Sequence, residues 1–209
     1  MVIENFWVFA FTALLLNLSP GNDMLYVAAR SSSQGSKAGI LSSLGIMVGC
    51  MVHIFAAMVG LSAIIARSAV AFDVIKYIGA AYLIYLGSRP MFSRKHKLQV
   101  STSIKKLSQR KIFLQGVLTN VLNPKVALFF LAFLPQFINV AYGNTAMQIF
   151  FLGTWFNVGG TLVNIVVSLL FGKVGKWLNQ SPTFIQWQER IAGTILIALG
   201  IRVAISSRK

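Results

Sequence analysis

Acidic residues are almost missing from this chain: four among 209, against 19 lysines and arginines. Charge of either sign is scarce, at 11% of residues, where soluble domains carry roughly a quarter. With 56% hydrophobic residues and a mean hydropathy of +0.72, a water-soluble globule is excluded and an integral membrane protein is implied. The single cysteine, Cys50, excludes an internal disulfide and argues against a thiolate metal cluster. The two histidines, His53 and His96, are too far apart to form a ligand motif. No nucleophile elbow, phosphate-cradling glycine loop or HExxH is present. Enzymatic activity, a bound cofactor and ATP-driven pumping by this chain alone are therefore not expected. The start, Met1-Val2-Ile3-Glu4, lacks the basic region of a signal peptide, so the first apolar span is expected to be retained.

What the chain does have is long apolar runs. A helix needs about 20 residues to cross a bilayer. Stretches near 5–28, 38–66, 69–88, 112–138, 145–171 and 187–206 meet or approach that length. The expected fold is an all-α integral membrane protein with about six transmembrane helices in one transporter domain over 1–209. A net charge of +15 invites a nucleic-acid reading, but the basic residues cluster between apolar runs, where they set orientation. Nucleic acid is not an expected partner; the lipid bilayer is. The only long polar segment, Arg89 to Lys111, carries eight basic residues and no acid. It reads as a topology signal on a solvated loop, with binding to anionic headgroups as the alternative. Thirteen basic residues fall beside this loop's side of the membrane, counting Arg30 and Lys37 as loop residues, and five on the other. The long loop is expected in the cytoplasm and both termini outside.

Two of the runs are interrupted by residues that a membrane helix should avoid. The first contains Asn17-Leu18-Ser19-Pro20-Gly21-Asn22-Asp23, and the fourth contains Asn120-Val121-Leu122-Asn123-Pro124-Lys125. Proline removes a backbone donor and clashes with the preceding turn. The groups it frees must be satisfied by neighbours, water or a ligand. Ser19-Pro20 and Asn123-Pro124 lie 104 residues apart, and the same offset relates Gly49 to Gly153. The runs from Ile78 to Gly87 and from Ile191 to Gly200 share five of ten residues. These matches suggest two three-helix repeats, 1–90 and 112–209, joined by the basic loop 91–111. An odd number of spans per half makes the repeat inverted. Paired interrupted helices are the best sequence pointer to a secondary transporter's substrate site.

The polar residues at the breaks are therefore the candidate site. Pro20, Gly21, Asn123 and Pro124 shape it. Asn17, Asn120 and Asn157 offer neutral hydrogen bonds. Asp23 is the candidate for coupling to a proton or to a substrate ammonium, because intramembrane acids are usually functional. Its rival role is a passive place at a kink. Lys125 needs a partner at membrane depth: either Asp23, or the backbone carbonyls freed by Pro124. His53 could relay a proton or form a buried hydrogen bond. Asn157 and Asn164 are cavity lining or polar glue between helices. Gly35, Gly39, Gly45, Gly49, Gly153, Gly159 and Gly160 read as close helix contacts, within this chain or in a homo-oligomer. Phe129, Phe130 and Phe133 read as core or lipid-facing, and Trp7, Trp177 and Trp187 as interfacial anchors.

Ser19-Pro20-Gly21-Asn22-Asp23, the glycines leading to Gly60-Leu61, and Gly79-Ala80-Ala81-Tyr82-Leu83 through Gly87 form an ordered series. It continues with Gly116, Asn123-Pro124-Lys125 and Phe133-Leu134-Pro135-Gln136-Phe137. The series resembles the LysE/RhtB family of bacterial amino-acid exporters. The resemblance implies a multi-pass inner-membrane protein that exports amino acids or their derivatives, with protons as coupling partners. Rival expectations are a cation exporter of the same superfamily and a non-transporting membrane scaffold or accessory subunit. The family pattern has Pro-Gly-Pro where this chain has Pro20-Gly21-Asn22, which makes Asn22 the expected place for altered specificity.

Overall fold

The computed structural model describes residues 5–61, 69–92, 106–178 and 182–205. Most of the basic loop, with Arg94, Lys95, Lys97 and Lys105, lies outside them. So do His96, Arg67, Arg208 and Lys209. The placement of the Trp177 and Trp187 side chains is likewise outside what is described.

Among the described residues, every regular element is helical. Proline determines where the first run breaks. Helix α1, Phe6–Leu18, stops before Ser19-Pro20, and α2, Asn22–Gln34, starts after an extended Gly21. Each has 13 residues, or about 20 Å at 1.5 Å per residue, short of a core about 30 Å thick. A single residue, Gly35, joins α2 to α3 (Ser36–Ala56), and its φ of 83° suits glycine. A π-helical turn, Ala57–Leu61, extends α3. Helix α4 is Ala69–Phe92. The fourth run breaks as expected: α5, Gln109–Val121, is followed by the short α6, Pro124–Leu128. Pro124 sits in the first turn, where its missing amide is harmless, and the Asn123 side chain caps the Lys125 amide at 3.0 Å. A π-helical turn, Phe129–Phe133, and two 3-10 turns lead to α7, Thr145–Leu178. Helix α8, Pro182–Ile205, ends the described chain.

Ser36–Leu61 and Thr145–Lys173 are each long and apolar enough to cross a membrane. Gln109–Val121 and Pro124–Phe137 meet that test as a pair bent by 42°. These are two or three spans among the described residues, by length and composition. Large apolar side chains are exposed on the outer faces, among them Trp7, Phe11, Phe55, Leu118 and Leu162. Such a surface suits lipid rather than water. Inside, the aromatic run is core: Phe129 stacks on Phe156 at 4.1 Å, and Phe9 meets Phe129, Phe133 and Phe137.

The glycines set the helix pairs. Along α3 and α5, Gly45 meets Phe113 while Gly49 meets Val117 and Asn120, so the two run parallel. Phe6 packs on Phe151 and Trp155, and Asn17 lies at Gly160, so α1 and α7 are also parallel. Gly87 abuts the Gly193 carbonyl and Gly200 abuts Ala80 and Ile84, so α4 and α8 are antiparallel.

One expectation fails here. Arg30 is not a loop residue. It lies inside α2, 8% exposed. Its Nη2 donates to Gln115 Oε1 at 3.1 Å and its Nη1 to Gln34 Oε1 at 3.4 Å. The apolar count ended the first span near residue 28, but the helix continues six residues further, to Gln34, with Arg30 held by side-chain amides. Lys37 lies in the first turn of α3. Nearby, Tyr26 Oη donates to the Ile112 carbonyl at 2.8 Å. Tyr26→Phe is expected to cost about 1 kcal/mol, the usual worth of one such bond. It should lower the melting temperature of the detergent-solubilised protein by about 2–4 °C.

Candidate functional site

The two breaks meet, and each completes the other. Before Pro20, the Leu16 carbonyl loses the amide donor expected four residues on. The Ser19 amide, bonded to Leu15 O at 3.0 Å, reaches Leu16 O only at 3.2 Å. The Lys125 ammonium, from the far side of the second break, donates to Leu16 O at 2.8 Å and Ser19 O at 2.7 Å. The C-terminal end of α1 is the negative end of its dipole, so a cation suits it. In the other direction, Asp23, just after the first break, accepts from Asn120 Nδ2 at 2.7 Å. Asn120 is 2% exposed, at the end of α5.

The proposed Asp23–Lys125 ion pair is therefore not formed: among the described residues no salt bridge joins them. The carbonyl role for Lys125 holds, with one correction. The carbonyls it caps belong to the first break rather than to its own. A sequence displays two opposite charges but not which way a helix end points.

Between the breaks lies a cavity of about 50 Å³, room for a few water molecules. Asn17, Gly21, Asp23, Asn120, Asn123, Lys125 and Asn157 all line it. Asp23 Oδ1 and Asn120 Oδ1 are buried without a hydrogen-bond partner. A low-dielectric site penalises such atoms unless something occupies them. Asn17 donates to the Phe156 carbonyl at 3.0 Å and Asn157 to the Met47 carbonyl at 3.1 Å, so each ties its helix to a neighbour while bordering the cavity. Among the described residues, none from helices α4 and α8 lines it; these two helices pack on each other.

Four candidates are not in the lining. Pro20 and Pro124 act through the backbone they interrupt. His53 lies behind Asn120, donating from Nε2 to its carbonyl at 2.9 Å, with its ring stacked on Phe130. Asn22 is exposed in the first turn of α2. Its side chain is not among those that line the cavity. A proline fits the first helical position, and Gly21 before it is already extended. Asn22→Pro is expected to leave transport within about twofold, since proline is tolerated there; flux assays in reconstituted vesicles check this.

Cys50 and Thr161 were missed as lining residues, and Asn164 was left undecided. Cys50 carried no signal in the sequence. The others did: Asn157, Thr161, Asn164 and Ser168 are all buried and recur at helical spacing along an otherwise apolar α7.

The sequence profile described as LysE type translocator matches residues 14–207. An uncharacterized membrane protein, YrhP, of Bacillus subtilis is 33% identical over 202 residues, 93% of this chain and 95% of the relative. An uncharacterized membrane protein of Vibrio cholerae is 29% identical over 98% of both chains. A leucine efflux protein of Salmonella choleraesuis is 30% identical over 152 residues, 73% of this chain and 72% of the relative. No solved structure matches. With a profile match across both helix breaks, and with relatives aligned along most of its length, the chain belongs to the LysE type translocator family.

Proposed function

We propose that this protein is a secondary exporter of amino acids or amino-acid derivatives, working by alternating access across the bacterial inner membrane. The observation that carries the reading is the cavity where two broken helices brace each other. Its lining holds one acid, Asp23, one base, Lys125, and several neutral amides. That set is matched to a zwitterion: unpartnered oxygens for an ammonium, a cation for a carboxylate. The leucine efflux relative supports the substrate class, and Asp23 is the group proposed to exchange a proton.

The architecture proposed is six spans in two inverted halves, 1–90 and 112–209, around the loop 91–111. The loop is cytoplasmic and both termini are outside. The helix pairs support this reading. A twofold axis in the membrane plane would exchange the α1–α7 pair with the α3–α5 pair and map the antiparallel α4–α8 pair onto itself. A cavity of about 50 Å³ is far below the roughly 300–1,000 Å³ of sites that enclose larger ligands, so helices must part for a substrate to enter.

The test is a panel. Cells overproducing the protein are challenged with toxic amino acids and analogues, and purified protein in vesicles is assayed for efflux of the protective ones. At least one amino acid should leave faster when the receiving side is acidic. Flux that ignores an imposed proton gradient would remove the coupling. The absence of flux for every amino acid would remove the exporter reading in favour of a scaffold or a cation carrier.

A further inference from the structure

Among the described residues, Lys125 is the only cation lining the cavity, and its ammonium is committed to Leu16 O and Ser19 O. It stands where an unbroken helix would have placed the amide of residue 20. Close by, Asp23 Oδ1 and Asn120 Oδ1 accept nothing. The cavity thus fills one acceptor site with its own tethered cation and leaves a second acceptor site open. A lysine head is a compact point charge on a flexible stem, so it can change partners without moving the backbone. Residue 21 is glycine, so this side of the stem is bare; a Cβ there would rest in ordinary contact with it, 3.4 Å from Lys125 Cδ and 3.6 Å from Nζ.

We propose that Lys125 is the group that recognises the substrate carboxylate, and that in this structure it is parked on the end of α1, holding the first break shut until a carboxylate draws it away. The ligand part of this inference rests on the exporter reading; the parked state does not. Release is an exchange. As Nζ turns to the incoming carboxylate, Leu16 O and Ser19 O lose a donor, which a substrate ammonium or water replaces. Neither bond is covalent, and no proton need transfer. The latch makes opening of the α1 end conditional on a ligand that carries a carboxylate.

Cys50 supplies the measurement. It is the only thiol in the chain, it lines the cavity and it is 2% exposed. Its rate of modification by a small charged methanethiosulfonate, in the reconstituted full-length protein without ligand, reports opening. Lys125→Met should label about tenfold faster or more, the factor that losing one hydrogen bond to a charged group implies. Pro20→Ala returns an amide to Leu16 O, so Pro20→Ala with Lys125→Met should label close to the original rate. Labelling of folded Lys125→Met at the original rate would overturn the latch. Should Lys125→Met fail to fold, the double variant is expected to fold, and its failure would also overturn the latch.

A second readout addresses the carboxylate. Leucine should raise the melting temperature of the unaltered protein, and 3-methylbutylamine, which lacks the carboxylate, should not. Lys125→Met should lose that discrimination. Equal stabilisation by both compounds in the unaltered protein would overturn carboxylate recognition. If no amino acid stabilises the unaltered protein, the carboxylate role falls along with the exporter reading, and the labelling rates still decide the latch.

Discussion

Asp23→Asn should lower amino-acid efflux about a hundredfold and abolish its response to a proton gradient. The size follows from losing one interaction with a charged group, worth up to about 3 kcal/mol. At 1.36 kcal/mol per decade that is about two decades. The substitution is nearly isosteric, and Asn120 can still donate to the new side-chain oxygen in place of Asp23 Oδ2. Folding should therefore survive, and a melting temperature within a few degrees of the original checks that it does. What disappears is the capacity to hold a proton or to balance a substrate ammonium. The position of Oδ1, now unpartnered, would gain an amide donor facing the same acceptor-rich space. Gradient-driven efflux at the original rate in Asp23→Asn would assign coupling to another group. His53, one residue deeper behind Asn120, would be the next to substitute.

The second large effect concerns assembly. Gly116→Val should destabilise the protein by about 3 kcal/mol, at the upper end of overpacking costs. For a chain of this length that lowers the melting temperature by about 6–12 °C. A Cβ at 116 would stand 2.6 Å from the Ser42 carbonyl and 3.3 Å from Gly45 Cα and the Ile46 amide. All three are backbone atoms of α3, so no side chain can turn aside to make room. The parallel α3–α5 pair would have to separate, and α5 carries Asn120 at its end. Gly60→Ala is the control. Nothing lies within 4 Å of its added carbon, and a change within about 0.5 kcal/mol is expected for such a site. Equal melting of the two variants would show that the α3–α5 contact yields to the added side chain.

Both predictions separate what the sequence displays from what it hides. The breaks at Pro20 and Pro124 were legible because proline acts through its own covalent structure, whatever surrounds it. The glycines at 45, 49 and 153 were legible as close contacts because a missing side chain in an apolar run has few other uses. The aromatic run from Phe129 to Phe137 declared an apolar environment, though not whether lipid or protein would provide it. Long-range polar pairing was hidden. Lys125 and Asp23 look like partners when only charge is read. The decisive fact is that α1 ends with carbonyls aimed at Lys125, which depends on helix direction and register. Arg30 was misplaced for a related reason. Hydropathy treats arginine as a marker of the water boundary, whereas side-chain amides of Gln34 and Gln115 hold Arg30 within a helix. Asn22 sits in the same conspicuous motif as Asp23, but the first turn of α2 leaves it exposed, away from the cavity. The cavity itself needs six elements to converge, and no local pattern encodes that.

Gly35 has a mechanical meaning. With one residue between α2 and α3, and with the Gly35 amide bonded to Ser31 O at 2.8 Å and the Ala38 amide to Gly35 O at 3.0 Å, there is no slack in the connection. The two helices form a bent crank whose pivot is the extended backbone at Gly21. The long arm, Ser36–Leu61, has 26 residues and so reaches about 39 Å at 1.5 Å per residue. Because Ile46 and Cys50 of α3 border the same cavity as Gly21, only the stretch beyond Cys50, about 17 Å at 1.5 Å per residue, extends past the pivot. A rotation of about 10° there would move the end of α3 by roughly 3 Å on that length. An insertion of flexible residues at position 35 would uncouple the two helices.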